Sequence, residues 1–329
     1  MLPLFSIAVL REDAARRRAA AAADRRAYAD AVAIPVSESR VTEVRMLLDD
    51  PELTRRGPGE EFALARARMG DKARVRLRAS ISDLFPPAQR RPRYTVRHLL
   101  RKAVIGGESD EVVVFRERAA NVDANAAAPE FGFEVDIATA PIRVIKAAVN
   151  VPHEILADPA ALAAFIDFRL VVRLGTAEND ALLNGDGRDN ILGLLRTPGV
   201  RTAAEPAGTV GQTLTAAAAL CEWHGGSADG IVMHPADWWP LATEGTFLDR
   251  LGAAGVRVSR TRMVPQGIAV VGDFSAAATL LDKRTSTIRL AGQDELPGAG
   301  PGLVAEIEEG LAVHLPGHFV IATLPTGPR

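Results

Sequence analysis

The side chains in this 329-residue sequence best suited to nucleophilic or metal chemistry are one cysteine and six histidines. Cys221 and His224 stand three apart in "AAAALCEWH", a spacing that brings two side chains together on a helix. A thiolate beside an imidazole is a nucleophile with its own base. The competing reading makes Cys221 a small buried hydrophobe, and the alanine-rich surroundings favour it. His224, His234 and Asp237 carry metal-ligand groups, but their spacing fits no close-pair zinc pattern, which favours structural or solvated roles. His153, His314 and His318 are scattered beside prolines and strands. The sequence holds no Gly-x-Ser-x-Gly elbow, His-Glu-x-x-His helix or strand-linked Gly-x-Gly-x-x-Gly. No catalytic, cofactor-binding or metal residue is therefore assigned, no cofactor is expected, and the chain reads as a non-enzyme.

One polar loop needs its own test. "NDALLNGDGRDNILGLL" (179–195) could hold calcium, cradle a phosphate or stop a helix. A calcium loop of the helix–loop–helix type wants oxygen ligands at alternate positions, glycine at the sixth and glutamate at the twelfth. Counted from Asn184, those places hold Arg188 at the fifth, Asp189 at the sixth and Leu195 at the twelfth. A phosphate loop would open a helix and carry a Lys-Ser/Thr pair, and neither is present. The loop ends a helix.

That helix is the clearest in the sequence. Asp158 is a good N-cap and Pro159 suits the first helical position. Leu162, Phe165, Phe168 and Val172 form an apolar stripe, which Ile166, Leu170 and Leu174 broaden. The pattern runs to Asn184, and Gly185 terminates it. Such a helix would be roughly 40 Å long at 1.5 Å per residue.

The apolar share of 47% and charged share of 24% are those of a globular domain. A single cysteine excludes an internal disulfide framework and fits a reducing compartment. No basic leader precedes "MLPLFSIAVL", so no secretory signal is read, and no apolar run is long enough for a membrane helix. Charge is uneven: residues 1–108 hold 22 Lys+Arg against 14 Asp+Glu. That imbalance suits a nucleic-acid-facing arm or a solvated, arginine-rich helix, and charge alone favours the second. "EDAARRRAAAAADRRAYADAV" (12–32) reads as an exposed helix that buries little. Charged stretches follow, broken at "RRGPGEE" (55–61), and the prolines of "DLFPPAQRRPRY" (83–94) mark an arm or linker.

Strand patterns come next. "EVVVFRE" (111–117) and "FGFEVDIA" (131–138) predict an extended hairpin with a long tip, and "PIRVIKAAVNVP" (141–152) continues the β character. Residues 199–278 alternate helix and strand, an α+β arrangement. "TSTIRLA" and "GLAVHLP…HFVIATL" close the chain with more strand. Trp238 and Trp239 are expected to divide into a core tryptophan and an interface tryptophan.

In order and spacing, these segments resemble the Hong Kong 97-type phage major capsid proteins, whose fold encapsulin nanocompartments share. "RYTVRHLL" is similar to the segment after that family's N-terminal arm. "AAAPEFGFEVDIATAPIRVIKAAVNVPHEIL" resembles the return strand of its extended loop. "DPAALAAFIDFRLVVRLGTAENDALLNGDG" resembles its spine helix. "GIVMHPADWWPLA", "GVRVSRTRMVPQGIAVVGDF" and "EIEEGLAVHLPGHFV" are similar to its axial-domain and closing motifs. The similarity runs from about Phe85 to Leu324.

The resemblance implies a basic, helical, scaffolding-like segment at 1–84, an N-arm at 85–108 and an extended loop at 109–140. It implies a peripheral domain with the spine helix at 141–198 and 279–309, and an axial domain at 199–278 and 310–329. The implied function is a structural subunit that self-assembles into an icosahedral shell enclosing phage DNA. An encapsulin-type shell around a cargo enzyme is the alternative. Implied partners are copies of itself in pentamers and hexamers, packaged DNA or protein cargo on the luminal side, and a maturation protease, with no membrane. The implied location is a virion capsid assembled in the bacterial cytoplasm, or the cytoplasm for an encapsulin.

Some family members cross-link a loop lysine to a neighbour's asparagine. No lysine lies between Glu117 and Glu134 and no asparagine follows Asn190, so no covalent mesh of that kind is expected. Gly310 stands where an arginine was expected after Glu308 and Glu309, which leaves their pairing open.

Overall fold

The computed structural model describes residues 57–77, 95–106, 110–117, 135–203, 206, 208–243, 245–292, 295–296 and 300–325. The predicted helix at 12–32, the proline-rich stretch at 83–94 and the hairpin tip lie outside them. In chain order the first elements are α1 (Pro58–Met69), β1 (Arg74–Leu77), α2 (Val96–Leu99), β2 (Arg101–Val104), β3 (Glu111–Glu117) and β4 (Val135–Asn150). Then come α3 (His153–Ala157), α4 (Pro159–Phe165), a π-helical turn at Ile166–Leu170 and α5 (Val171–Asn184). The third stretch holds β5 (Arg201–Ala203), α6 (Val210–Trp223), β6 (Gly230–Met233), α7 (Pro235–Thr243) and α8 (Phe247–Ala253). The last elements are β7 (Arg257–Arg260), β8 (Ile268–Gly272), α9 (Phe274–Ala277), β9 (Ala278–Leu290), β10 (Gly302–Val313) and β11 (Phe319–Thr323).

The chain divides into two compact units. The first comprises Met1–Pro92, Val144–Ala177 and Lys283–Glu308. Its sheet orders β1, β9, β10 and β4, with Arg74, Val75 and Arg76 of β1 antiparallel to Arg289, Ile288 and Thr287 of β9. Alternate residues point to opposite faces, so Val75, Ile288, Ala305, Ile307 and Ile145 are buried while Arg74, Arg76 and Lys146 are exposed. α1 packs on α4. The expected break at "RRGPGEE" is a helix start: Gly57 is the N-cap, Pro58 opens the helix, and Glu60 and Glu61 face its positive end. Asp167 accepts the Gly59 N–H at 2.9 Å.

The helix predicted from Asp158 to Asn184 begins as expected: the Asp158 carboxylate accepts the N–H groups of Ala160 and Ala161. Its apolar stripe differs. Leu162, Ile166, Leu170 and Leu174 are buried, whereas Phe168 is exposed and Phe165 and Val172 are half-buried. The π-helical turn is the reason. Four-residue steps overshoot a full α-helical turn by about 40° each, and a wider turn at Ile166–Leu170 brings the stripe back.

The second unit comprises Arg93–Arg143, Glu178–Asp282 and Glu309–Arg329. It holds a five-stranded sheet in the order β5-β11-β8-β6-β7. β11 pairs with β5 and β6 with β7 in parallel; β8 is antiparallel to both β11 and β6. α6 begins at a capping box in which Thr209 and Gln212 satisfy each other's backbone N–H groups. Leu214, Ala217 and Cys221 of α6 share a core with Ile231, Met233, Val271 and Val320 of the sheet. A side chain at Gly272 would collide with Phe319 and its neighbouring backbone, so only glycine fits there. The same unit contains β2 paired in parallel with β9 at Thr279–Asp282, and β3 paired antiparallel with β4.

Candidate functional site

Two features of the second unit break the usual sorting of polar groups outward and apolar groups inward. The first is Arg97, with no exposed surface. It lies on α2, a single turn closed by reciprocal hydrogen bonds between Thr95 and His98. Asn179 accepts the Val96 N–H at 3.0 Å. One guanidinium nitrogen of Arg97, Nη1, donates to Glu178 at 2.8 Å and to Glu309 at 2.5 Å; Nη2 donates to Asp282. Arg257 holds the other end of the turn, donating to the carbonyls of His98 at 2.7 Å and Leu99 at 2.9 Å. Arg257 is itself fixed by Asp229, which also accepts the Phe274 N–H at 2.7 Å.

Three carboxylates around one guanidinium carry an excess of negative charge in a dry site. Glu309 is the carboxyl whose proton affinity that excess raises. Burial, then the neighbouring Glu178, raise its pKa well above the ordinary carboxylate range. Among the described residues its Oε1 has no hydrogen-bond partner. The doubt over Glu308 and Glu309 is thus resolved at long range: Lys283 pairs with Glu308 at 3.6 Å, and Arg97, 212 residues away, pairs with Glu309. Gly310 serves packing, since a Cβ there would lie 2.7 Å from the Pro141 carbonyl.

The second feature is the face of the β3–β4 pair. Its inner residues, Val114 and Ala140, join Leu281 and Ala312 in a small core. Three apolar side chains on its outer face lie open, beside the exposed Glu111 and Thr139: Val113 is 61% exposed, Phe115 61% and Ile137 74%. Phe115 and Ile137 stand directly opposite in the register. Burying such side chains is worth about 1.5–3 kcal/mol each, and within the described residues nothing takes that gain. Among the described residues β3 is an edge strand, ending the sheet order beside β4.

Residues 89–294 match the phage capsid family. The chain belongs to that family. The major capsid protein of Enterobacteria phage HK97 is 28% identical over 231 residues, covering 65% of this chain and 60% of that relative. The match thus spans less than two thirds of the curated relative's length. Among solved structures, a virus-like particle from Pyrococcus furiosus aligns at 15% identity and a TM-score of 0.49, over 68% of this chain and 90% of that one. A Mycobacterium phage Adephagia structure aligns at 15% identity and 0.48, over 72% and 92%.

The family match takes in Arg97, Glu178, Asp282 and both hairpin strands, and stops short of Glu309. The groups weighed for chemistry in this capsid-family chain are placed as follows. Cys221 is buried and its thiol donates to the His318 carbonyl at 3.1 Å, not to His224. Burial first, then Asp273, push its pKa up to about 12, so no thiolate is available near neutrality. His224 and His318 are both shifted down by burial. His234 Nδ1 caps the Ala236 N–H, and Asp237 accepts the Gly267 N–H at 2.8 Å. Among the described residues no group of three or more His, Cys, Asp and Glu side chains is arranged for a metal ion, and no helix is long and apolar enough to cross a membrane. Asp186 holds the loop after α5 by accepting the N–H groups of Arg188 and Asn190. Trp238 packs on the core while Trp239 is 58% exposed, and the Arg260 guanidinium sits 3.8 Å from the centre of the Trp238 ring.

Arg97 was missed as a site by sequence reasoning, although a signal existed. Glu178 falls four residues after Leu174 on the helix stripe, and Glu309 takes an inward place in the alternation Ala305, Ile307, Leu311. Charges in apolar phase point to a buried counter-charge.

Proposed function

We propose that this chain is the structural subunit of an icosahedral shell enclosing phage DNA, the major capsid protein of a phage or prophage. The open apolar face of Val113, Phe115 and Ile137, in a member of the phage capsid family, carries the reading. An edge strand bearing exposed aromatic and β-branched residues gains burial only against another surface. A second copy supplies that surface in every repeat of a symmetric shell. In this reading 1–84 is a scaffolding-like segment, 85–108 an arm and 109–140 the extended loop. The peripheral domain is 141–198 with 279–309, and the axial domain 199–278 with 310–329. The turn pinned at Arg97 is a fixed anchor within the arm, and Trp239 is an intersubunit contact. Pentamers and hexamers form in the bacterial cytoplasm, with a maturation protease acting before the virion is complete.

Electron microscopy of the purified full-length chain, with ultraviolet absorbance of the separated particles, tests this. Closed shells containing nucleic acid are expected. A chain that stays monomeric at every concentration overturns the proposal. Shells filled with protein and free of nucleic acid replace it with an encapsulin-type compartment.

A further inference from the structure

The open face of the first unit's sheet contains a cleft of about 650 Å³. We propose that this cleft binds the sugar-phosphate backbone of nucleic acid through Lys72, Arg74 and Arg76. The inference deepens the shell reading and rests on it for the presence of nucleic acid.

Three observations converge. The first is an imbalance of partners. Glu306 and Glu308 also line the cleft, but both are already matched: Glu306 by Arg289 at 2.9 Å and Lys146 at 3.6 Å, Glu308 by Lys283 at 3.6 Å. Lys72, Arg74 and Arg76 make no ion pair or side-chain hydrogen bond with the described residues. The anions are satisfied and the cations are not.

The second is a like-charge pair that the fold tolerates. Arg74 stands directly opposite Arg289 across the β1–β9 register. Like charges in that position destabilise a sheet. Arg289 is neutralised by Glu295, at 2.5 and 2.6 Å, and by Glu306. Among the described residues Arg74 has no such relief, and an external anion would supply it.

The third is geometry. Val75 is buried between Arg74 and Arg76, so both arginines project to the same open side, roughly 6.6 Å apart at 3.3 Å per residue. The Gly70–Lys72 turn sets Lys72 in the same cleft. Thr285 and Thr287 add hydroxyls to its floor, and hydroxyl and guanidinium donors are the usual phosphate contacts. The lining includes no aromatic ring on which a base could stack, and its apolar members are only Met69 and Val144. That composition suits backbone contact independent of sequence. An extended acidic peptide would instead need pockets for alternate side chains.

The test is binding of a labelled DNA duplex to the full-length protein across a salt series, by fluorescence anisotropy. Arg74→Gln with Arg76→Gln should lower the slope of log affinity against log salt by about 0.9 for each lost phosphate contact. Arg74→Lys with Arg76→Lys should restore it, and Arg250→Gln, on exposed α8, should leave it unchanged. Circular dichroism confirms folding; if the double variant does not fold, Lys72→Gln in its exposed turn is read the same way for one contact. An unchanged slope in folded variants overturns the proposal. So does poly-glutamate that displaces the duplex at equal charge concentration, which would assign the cleft to acidic protein. Microscopy of the same samples keeps the two readings apart. Variants that form shells but lose salt-dependent binding support the cleft. A wild-type chain that binds DNA without ever forming shells overturns only the shell reading.

Discussion

Arg97 and the β3–β4 face violate the same sorting rule in opposite senses. Arg97 brings a permanent charge into the interior and finds every partner there: Glu178, Asp282 and Glu309 converge from an α-helix and two strands. Val113, Phe115 and Ile137 bring apolar surface outward and find none among the described residues. The first arrangement is complete within one subunit and fixes where a segment begins. The second is incomplete by itself, which is what an assembling subunit requires. The difference separates what folds the chain from what, in the proposed shell, would recruit a neighbour.

Variants can break or sharpen that contrast. The largest effect is expected from Phe115→Glu with Ile137→Lys, which sets opposite rather than like charges across the register. These side chains are exposed, so folding stability should move by no more than about 0.5 kcal/mol at each site, while shells disappear from electron micrographs. Normal shells in that variant would erase the contrast. Arg97→Met should cost about 3–5 kcal/mol in urea unfolding, because it strands buried carboxylates. Gly310→Ala should cost about 1–3 kcal/mol through its clash with the Pro141 backbone, measured the same way. The smallest effect is a pH dependence. Glu309 has a folded pKa above its unfolded value, so the stability it contributes is full below the unfolded pKa. That contribution is lost as pH rises through the folded pKa. Glu309→Gln should therefore flatten the stability profile above the ordinary carboxylate range and overtake wild type on its alkaline side. A parallel loss in both proteins across that window would show that Glu309 is ionised when folded.

Much of the architecture was legible in sequence because local chemistry dictated it. Asp158 and Pro159 start the long helix and Asn184 ends it, as capping rules require. "EVVVFRE" is β3 residue for residue. Other parts depended on distant partners and were not legible. The sequence carried its β character from 131–138 on into 141–152, but the bounds of the single strand β4, Val135–Asn150, were not marked in it. Residues 278–282 and 302–305 lack alternation because both of their faces are covered, and they proved to be parts of β9 and β10. The stripe that included Phe168 assumed a uniform 3.6-residue period. The partners of Arg97 lie 81, 185 and 212 residues away, beyond any local pattern.

The widened turn at Ile166–Leu170 has a bearing on lineage. A bond reaching five residues back, where its neighbours reach four, accommodates one additional amino acid without disturbing the caps on either side. Homologues whose helix keeps the ordinary winding throughout should be one codon shorter between the counterparts of Asp158 and Asn184. Removing a single residue from this stretch should yield a regular helix with its downstream half and both caps left in place.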